Sequence, residues 1–285
     1  MSEEQCTHNC ETCPSKQNGT CGASKTEKAV AENLAKIANK IVVLSGKGGV
    51  GKSTVAVNLA MSLAARGRRV GLLDVDLHGP SIPTMLGLTE VAPSAEDDKI
   101  LPIEAYGMKV ISVAFFLPGN DDPVIWRGPL KQGAMQQFLG DVLWGELDDL
   151  VVDCPPGTGD EPLGICQLIP DRKAVIVTTP QEVAAADVRR SVNFCRKLDM
   201  TVLGVVENMS GFVCPHCQEI TYIFKRGGGE ALAKSMDIPF LGRIPLEPIV
   251  GEASDAGRPF VVTNPESASA KAFAAIVDAI AAQDK

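Results

Sequence analysis

Gly46-Lys47-Gly48-Gly49-Val50-Gly51-Lys52-Ser53 follows the apolar run Ile41–Ser45 and opens a helical pattern running from Gly51 to Arg66. Strand, glycine-rich turn and helix are the context that the phosphate-binding pattern G-x-x-x-x-G-K-[ST] requires. The glycines let backbone N–H groups turn toward phosphate oxygens, and the helix N-terminus adds positive potential. Lys52 is placed to reach the β- and γ-phosphates, and the Ser53 hydroxyl to ligate Mg²⁺. Gly46, Lys47, Gly48, Gly49, Val50, Gly51, Lys52, Ser53 and the adjoining Thr54 are therefore the candidate nucleotide-binding residues. This chemistry admits ATP or GTP.

Working outward, short β-branched runs alternate with helical patterns from Lys40 onward. Strands are expected at Ile41–Ser45, Val70–Asp74, Lys109–Val113, Leu150–Asp153, Ala174–Thr178, Val202–Glu207 and Phe240–Gly242. Helices are expected at Gly51–Arg66, Leu130–Leu143, Val183–Lys197, Gly229–Met236 and Ser267–Ala282, with a short one around Lys28–Ala38. Several strands are apolar throughout, as strands covered on both faces are. The pattern predicts an α/β fold with a doubly wound, mostly parallel sheet flanked by helices. Polar stretches at Thr89–Lys99 and Pro118–Pro123 read as solvated loops. Residues 1–28 form a cysteine-rich N-terminal segment too polar to order itself by burial, and residues 29–285 form the nucleotide-binding domain.

Two acidic strand ends flank the cradle. Leu150-Val-Val-Asp153 places a carboxylate where it can hold a Mg²⁺-bound water, and the following Pro155–Asp160 turn reads as a loop that senses the γ-phosphate. Asp74-Val-Asp76 ends another strand at the same carboxyl edge. Asp76 is the candidate for orienting the attacking water, and Asp74 supports the Mg²⁺ shell. His78 reads as a turn residue, and Arg127, with Lys131 close by in sequence, as an anion contact, an interface contact or a solvated side chain.

The protein has 285 residues, nine cysteines and a formal net charge of -8. Such an acidic balance argues against a general nucleic-acid surface, which needs clustered Lys and Arg. No run of about 18 apolar residues is present, so no membrane span is expected. The acidic start Met1–Cys6 lacks the order of a secretion signal, so the protein is expected in the cytoplasm. Cysteines there are thiols or metal ligands rather than disulfides.

Cys214-Pro-His-Cys217 offers two thiolates at chelating spacing, whereas zinc or a [4Fe–4S] cluster takes four ligands. A two-fold homodimer would supply the second pair. Zinc, an iron–sulfur cluster and a redox or structural pair all suit the spacing, and His216 sits awkwardly for joint ligation. Cys6, Cys10, Cys13 and Cys21 form a second candidate set, for a cluster or zinc. Cys154, Cys166 and Cys195 lie in strand or helix patterns and read as packing residues.

With Lys47 the cradle takes the K-G-G-x-G-K-[ST] form and resembles the MinD/ParA-like ATPases, which include the nitrogenase iron protein. Asp74–Ser81, Trp126-Arg-Gly-Pro129, Asp153–Asp160 and Cys214–Cys217 resemble the Mrp/Nbp branch, the iron–sulfur cluster carriers. The likeness covers about residues 35–260. It implies ATP as the nucleotide, slow hydrolysis, and a homodimer in which Lys47 reaches phosphates held by the partner, so that Lys47 joins Lys52 and Asp76 as a catalytic candidate. It further implies a bridging [4Fe–4S] cluster on Cys214 and Cys217, delivery to apo iron–sulfur clients, and an adenine flanked by Asn208 and the Ile244–Pro245 turn. The N-terminal spacing C-x₃-C-x₂-C-x₇-C departs from the usual pattern of that branch. Rival readings are a positioning ATPase, for which the tail Glu266–Lys285 lacks basic charge, a P-loop ATPase with structural zinc, and a nucleotide-driven electron donor.

Overall fold

Ile41, Val42, Val43 and Leu44 are all buried, and they alternate between two separate cores. Ile41 and Val43 pack into one and Val42 and Leu44 into the other, the arrangement of a strand covered on both faces. The computed structural model describes residues 22–77, 79–117, 128–217 and 219–283. In chain order the strands are β1 (Ile37–Ser45), β2 (Val70–Asp74), β3 (Ser94–Glu96), β4 (Lys99–Leu101), β5 (Ile103–Ala105), β6 (Met108–Ser112), β7 (Leu147–Asp153), β8 (Arg172–Thr178), β9 (Thr201–Glu207), β10 (Phe212–Val213), β11 (Ile220–Thr221) and β12 (Phe240–Arg243).

An eight-stranded sheet runs in the order β12-β9-β8-β1-β7-β2-β6-β5. All its pairings are parallel except that of the edge strand β5 with β6. Helices Lys52–Ala64 and Ala268–Ala281 cover one face, and Gly22–Leu34, Gly128–Gly140 and Glu182–Lys197 the other. The doubly wound, mostly parallel architecture is the expected one.

The departures from expectation are local. The first helix spans Gly22–Leu34, whereas Ile37 and Ala38, expected at a helix end, already belong to β1, where Ile37 pairs with Leu147. Sheet pairing overrides the helical pattern at these positions. Thr89–Lys99 is solvated but not a plain loop, since β3 and β4 form a hairpin across it. Asp97 and Asp98 turn that hairpin with φ of 46° and 60°, a conformation that short polar side chains tolerate. Helix Asp160–Leu168 goes unannounced because Pro162 reads as a breaker, yet proline is tolerated in a first helical turn.

Asn33 joins the first helix to the body. Its amide donates to the carbonyls of Leu139 at 2.7 Å and Val142 at 2.8 Å, one in the last turn of helix Gly128–Gly140 and the other just beyond it. Asn33→Ala leaves both acceptors without that donor and should cost about 1–3 kcal/mol. Denaturant unfolding of the nucleotide-free protein checks this, and an unchanged midpoint contradicts it.

Candidate functional site

Parallel register delivers the site. Asp74 on β2, Asp153 on β7 and Ser112 on β6 stand opposite one another across neighbouring strands, at the edge where β1 turns into the cradle. Gly51 caps the helix Lys52–Ala64 in the left-handed region at φ 79°, where a side chain is strained. A Cβ on Gly51 would also sit 2.2 Å from the Asn208 amide nitrogen. Gly46 is equally confined, for a Cβ there would lie 2.5 Å from the Asp187 backbone. Ser45 Oγ donates to the Lys47 carbonyl at 3.0 Å, and Gly157 N–H to the Ser45 carbonyl at 2.8 Å. The Pro155–Asp160 turn is thereby tied to the end of β1. Lys47, Ser53, Thr54, Asp76 and Pro156 are among the residues around a cleft of about 260 Å³.

The Lys52 ammonium lies 2.7 Å from Asp153 Oδ1, 3.2 Å from Asp76 Oδ2 and 3.3 Å from Ser53 Oγ. Burial alone would lower its pKa, but the charges of Asp153 and Asp76 outweigh burial and hold it above the ordinary lysine value. Asp74 accepts from Ser112 Oγ at 2.8 Å and from Asp76 N–H at 3.1 Å. Burial, reinforced by the charge of Asp153, pushes the Asp74 carboxyl up to about 8. Burial also raises Asp153, against the pull of Lys52.

Three acids thus face one ammonium. Asp153 Oδ2 is buried with no hydrogen-bond partner, an oxygen that a metal-bound water would satisfy. Carboxylates with a serine hydroxyl form the hard oxygen set that Mg²⁺ takes while keeping several waters. The residues fit Mg²⁺.

A second constellation lies on an excursion between β9 and helix Gly228–Ser235. β10 and β11 pair antiparallel, with Phe212 opposite Thr221 and Val213 opposite Ile220, and Cys214 N–H donates to the Glu219 carbonyl at 3.0 Å. Amide N–H groups of Cys217 and His216 donate toward the Cys214 sulfur, the Cys217 side chain adds to this, and together they hold the thiol below the ordinary cysteine range. Cys217 is exposed, as are Ile220, Tyr222 and Ile223 beside it. Among the described residues no group of three or more His, Cys, Asp or Glu side chains is gathered as a metal site.

Asn208 and the Ile244–Pro245 turn are brought together, since Ile244 N–H donates to the Glu207 carbonyl and Ser210 N–H to the Ile244 carbonyl, both at 2.9 Å. The Asn208 amide also donates to the Val50 carbonyl of the cradle at 2.8 Å. Lys131 forms an ion pair with Glu161 at the start of helix Asp160–Leu168, so it braces the Pro155–Asp160 turn from the neighbouring helix. Cys154, Cys166 and Cys195 are fully buried, and burial pushes Cys195 up to about 12. They pack the core, as their positions suggest. Cys6, Cys10, Cys13, Cys21, His78, Trp126 and Arg127 lie outside the described residues. Sequence reading overlooked Ser112 and the side chain of Glu207. An acid ending an apolar strand, the signal that singled out Asp153, would have found Glu207.

Asp74 yields a test with a definite sign. Below the ordinary value of 3.8 its carboxyl is protonated in both folded and unfolded states, and no penalty arises. The cost of ionising it grows as pH rises and is complete above about 8. Asp74→Asn keeps an acceptor for Asp76 N–H and should raise the thermal midpoint of the nucleotide-free protein, with a margin that widens to several degrees between about pH 5 and pH 8. A margin independent of pH in thermal scans contradicts the assignment.

Known proteins match this geometry closely. The model of the NUBPL iron-transfer P-loop NTPases, within the ParA group, matches residues 36–281. An iron–sulfur cluster carrier protein of Methanocaldococcus jannaschii is 52% identical over 265 residues, covering 90% of this chain and 91% of that one. The cytosolic Fe-S cluster assembly factor NUBP2 of Gallus gallus is 47% identical, over 89% and 96% of the two chains. Among solved structures, a nucleotide-binding protein from Archaeoglobus fulgidus in complex with ADP superposes with a TM-score of 0.76 at 42% identity, covering 87% and 96%. The cell division ATPase MinD of Pyrococcus furiosus superposes with a TM-score of 0.63 at 27% identity, covering 86% and 99%. The chain belongs to the NUBPL iron-transfer family of P-loop NTPases, in the MinD/ParA-like superfamily.

Proposed function

We propose that the protein is an ATP-hydrolysing iron–sulfur cluster carrier that works as a homodimer in the cytoplasm. Its cargo is a [4Fe–4S] cluster held between Cys214 and Cys217 of one protomer and the same pair of the other, for delivery to apo-proteins. The observation that carries this is the cysteine turn itself. It presents two accessible thiols, one already favoured as thiolate by backbone N–H donors, with no further side-chain ligand gathered beside them among the described residues. Such a half-site is complete only when another chain faces it. Exposed Ile220, Tyr222 and Ile223 around the turn supply apolar surface for that approach. The names of the relatives support the cargo.

In the nucleotide site, Lys52 exchanges its carboxylate partners for β- and γ-phosphate oxygens, and cradle N–H groups bind the same anion. Ser53, and Asp153 through water, would hold Mg²⁺, which when bound would supply charge neutralisation of the phosphates. Asp76, released from Lys52, accepts a hydrogen bond from the attacking water and fixes its line of approach. Lys47 contributes to phosphates across the dimer, and Asn208 and Pro245 flank the adenine. The N-terminal set Cys6, Cys10, Cys13 and Cys21 provides a second iron–sulfur site. A turn with backbone donors to sulfur also suits zinc, so the competing reading is a structural zinc site.

Anaerobic reconstitution with iron and sulfide, followed by iron and sulfide analysis and light scattering, separates the two. The wild type should form a dimer with one cluster shared by the pair of chains, and Cys214→Ser/Cys217→Ser should lose it. Zinc in place of iron in anaerobically purified protein, or a monomer under all conditions, overturns the proposal. Lys52→Ala should lower ATP-dependent cluster transfer to an apo-client by about tenfold or more at saturating nucleotide. Unchanged transfer by that variant separates the nucleotide from the cargo.

A further inference from the structure

Glu207 ends β9 with its side chain fully buried, and neither the nucleotide chemistry nor the cysteine chemistry uses it. Its Oε1 accepts from Ser210 Oγ at 2.5 Å, from Arg243 Nε at 3.2 Å and from Gly227 N–H at 3.2 Å. Its Oε2 accepts from Gly229 N–H at 2.6 Å. These partners straddle the excursion that carries the cysteines. Ser210 lies where the chain leaves the sheet, Gly227 and Gly229 where the excursion ends at the start of helix Gly228–Ser235, and Cys214 and Cys217 on the loop between. A buried carboxylate is stable only when donors surround it, so one charge clamps both ends of the excursion. The departing end is fastened further by Ser210 N–H to the Ile244 carbonyl at 2.9 Å and Leu246 N–H to the Gly211 carbonyl at 2.7 Å.

The next residue faces the cradle. The Asn208 side chain holds the Val50 carbonyl, and its amide nitrogen occupies the space that a Cβ on Gly51 would need. Its backbone N–H donates to the Thr178 carbonyl at 2.7 Å. Two consecutive residues therefore connect the phosphate cradle to the base of the cysteine excursion through direct hydrogen bonds. A shift of Val50–Gly51 would therefore bear on Asn208, and through the adjoining residue on the clamp.

We infer that Glu207 and Asn208 form the link by which the state of the phosphate cradle sets the disposition of Cys214 and Cys217, with Glu207 as a positioning residue for that pair. This rests on the proposed coupling of nucleotide to cargo, and assigns it a route through the chain.

The test uses the full-length, metal-free protein with and without Mg²⁺ and a non-hydrolysable ATP analogue. Iodoacetamide alkylation of Cys214 and Cys217 is followed by peptide mass spectrometry, alongside amide hydrogen exchange over residues 45–54 and 209–227. In the wild type, nucleotide should change the Cys214 alkylation rate by about fivefold or more. In Glu207→Gln, whose amide NH₂ cannot accept from the clamped donors, nucleotide should still protect residues 45–54 while the ratio at Cys214 falls toward unity. Ser210→Ala removes one donor and leaves the charge in place; it should give an intermediate ratio, and serves if Glu207→Gln does not fold. A purely structural role for Glu207 would raise the alkylation rate equally with and without nucleotide. A folded variant that keeps the wild-type ratio overturns the inference alone. A wild type whose cradle is protected but whose cysteines do not respond overturns the proposed coupling as well.

Discussion

The Lys52 ammonium, buried among the carboxylates of Asp153, Asp76 and Asp74, is the interaction around which the cradle is built. A parallel sheet places all its strand ends at one edge, so acids ending β2 and β7 must converge. One ammonium cannot balance three acids. Part of the imbalance is relieved by holding Asp74 as a protonated acid near neutral pH, at a pKa of about 8, and part is left on the unpartnered Asp153 Oδ2. Adding phosphates alone would bring more negative charge to the same edge. A divalent cation arriving with them would resolve the conflict, because it would serve the carboxylate and the phosphate oxygens together. The nucleotide-free cradle is thus held by the charges that its ligands later reorganise.

The same edge also carries the second chemistry. β9 lies beyond β8 from the cradle strand β1, yet its end reaches the cradle through Asn208 and the cysteine excursion through Glu207. Backbone pairing of the Ser210–Val213 segment with Ile244 and Leu246 fixes the excursion against the end of β12. Little slack remains between the sites. The proposed coupling of phosphate state to thiol position would therefore need no large domain movement, only a shift of a hydrogen-bonded strand end.

What sequence could disclose follows from how local each signal is. Val70–Asp74 is bounded in the structure as its apolar pattern implies, because the run is buried throughout and its ends are a Gly-Arg-Arg turn and an acid. The cradle is legible because its glycines, lysine and serine are contiguous. Other starts slip: β7 begins at Leu147 and β8 at Arg172, since polar residues at a strand's entry carry no apolar signal but still pair. The Glu207 clamp was out of reach for a different reason. Its partners Ser210, Gly227, Gly229 and Arg243 are spread along the chain, and three of its four donors are backbone or small polar groups with no pattern of their own.

The cysteines show most plainly what folding adds to a count. Sequence supplies nine thiols with equal intrinsic chemistry, and spacing alone separates pairs from singles. In the fold, Cys154, Cys166 and Cys195 are withdrawn into one core, where burial pushes the thiols of Cys154 and Cys195 up while Cys166, through its hydrogen bond with Cys154, is lowered. Cys214 experiences the reverse: backbone N–H groups aimed at its sulfur favour the thiolate at the surface. That contrast supports the excursion, rather than the buried thiols, as the place for the proposed cluster. Ile220, Tyr222 and Ile223 beside that turn stay uncovered, so the proposed cluster site and an apolar surface that another chain could cover lie together.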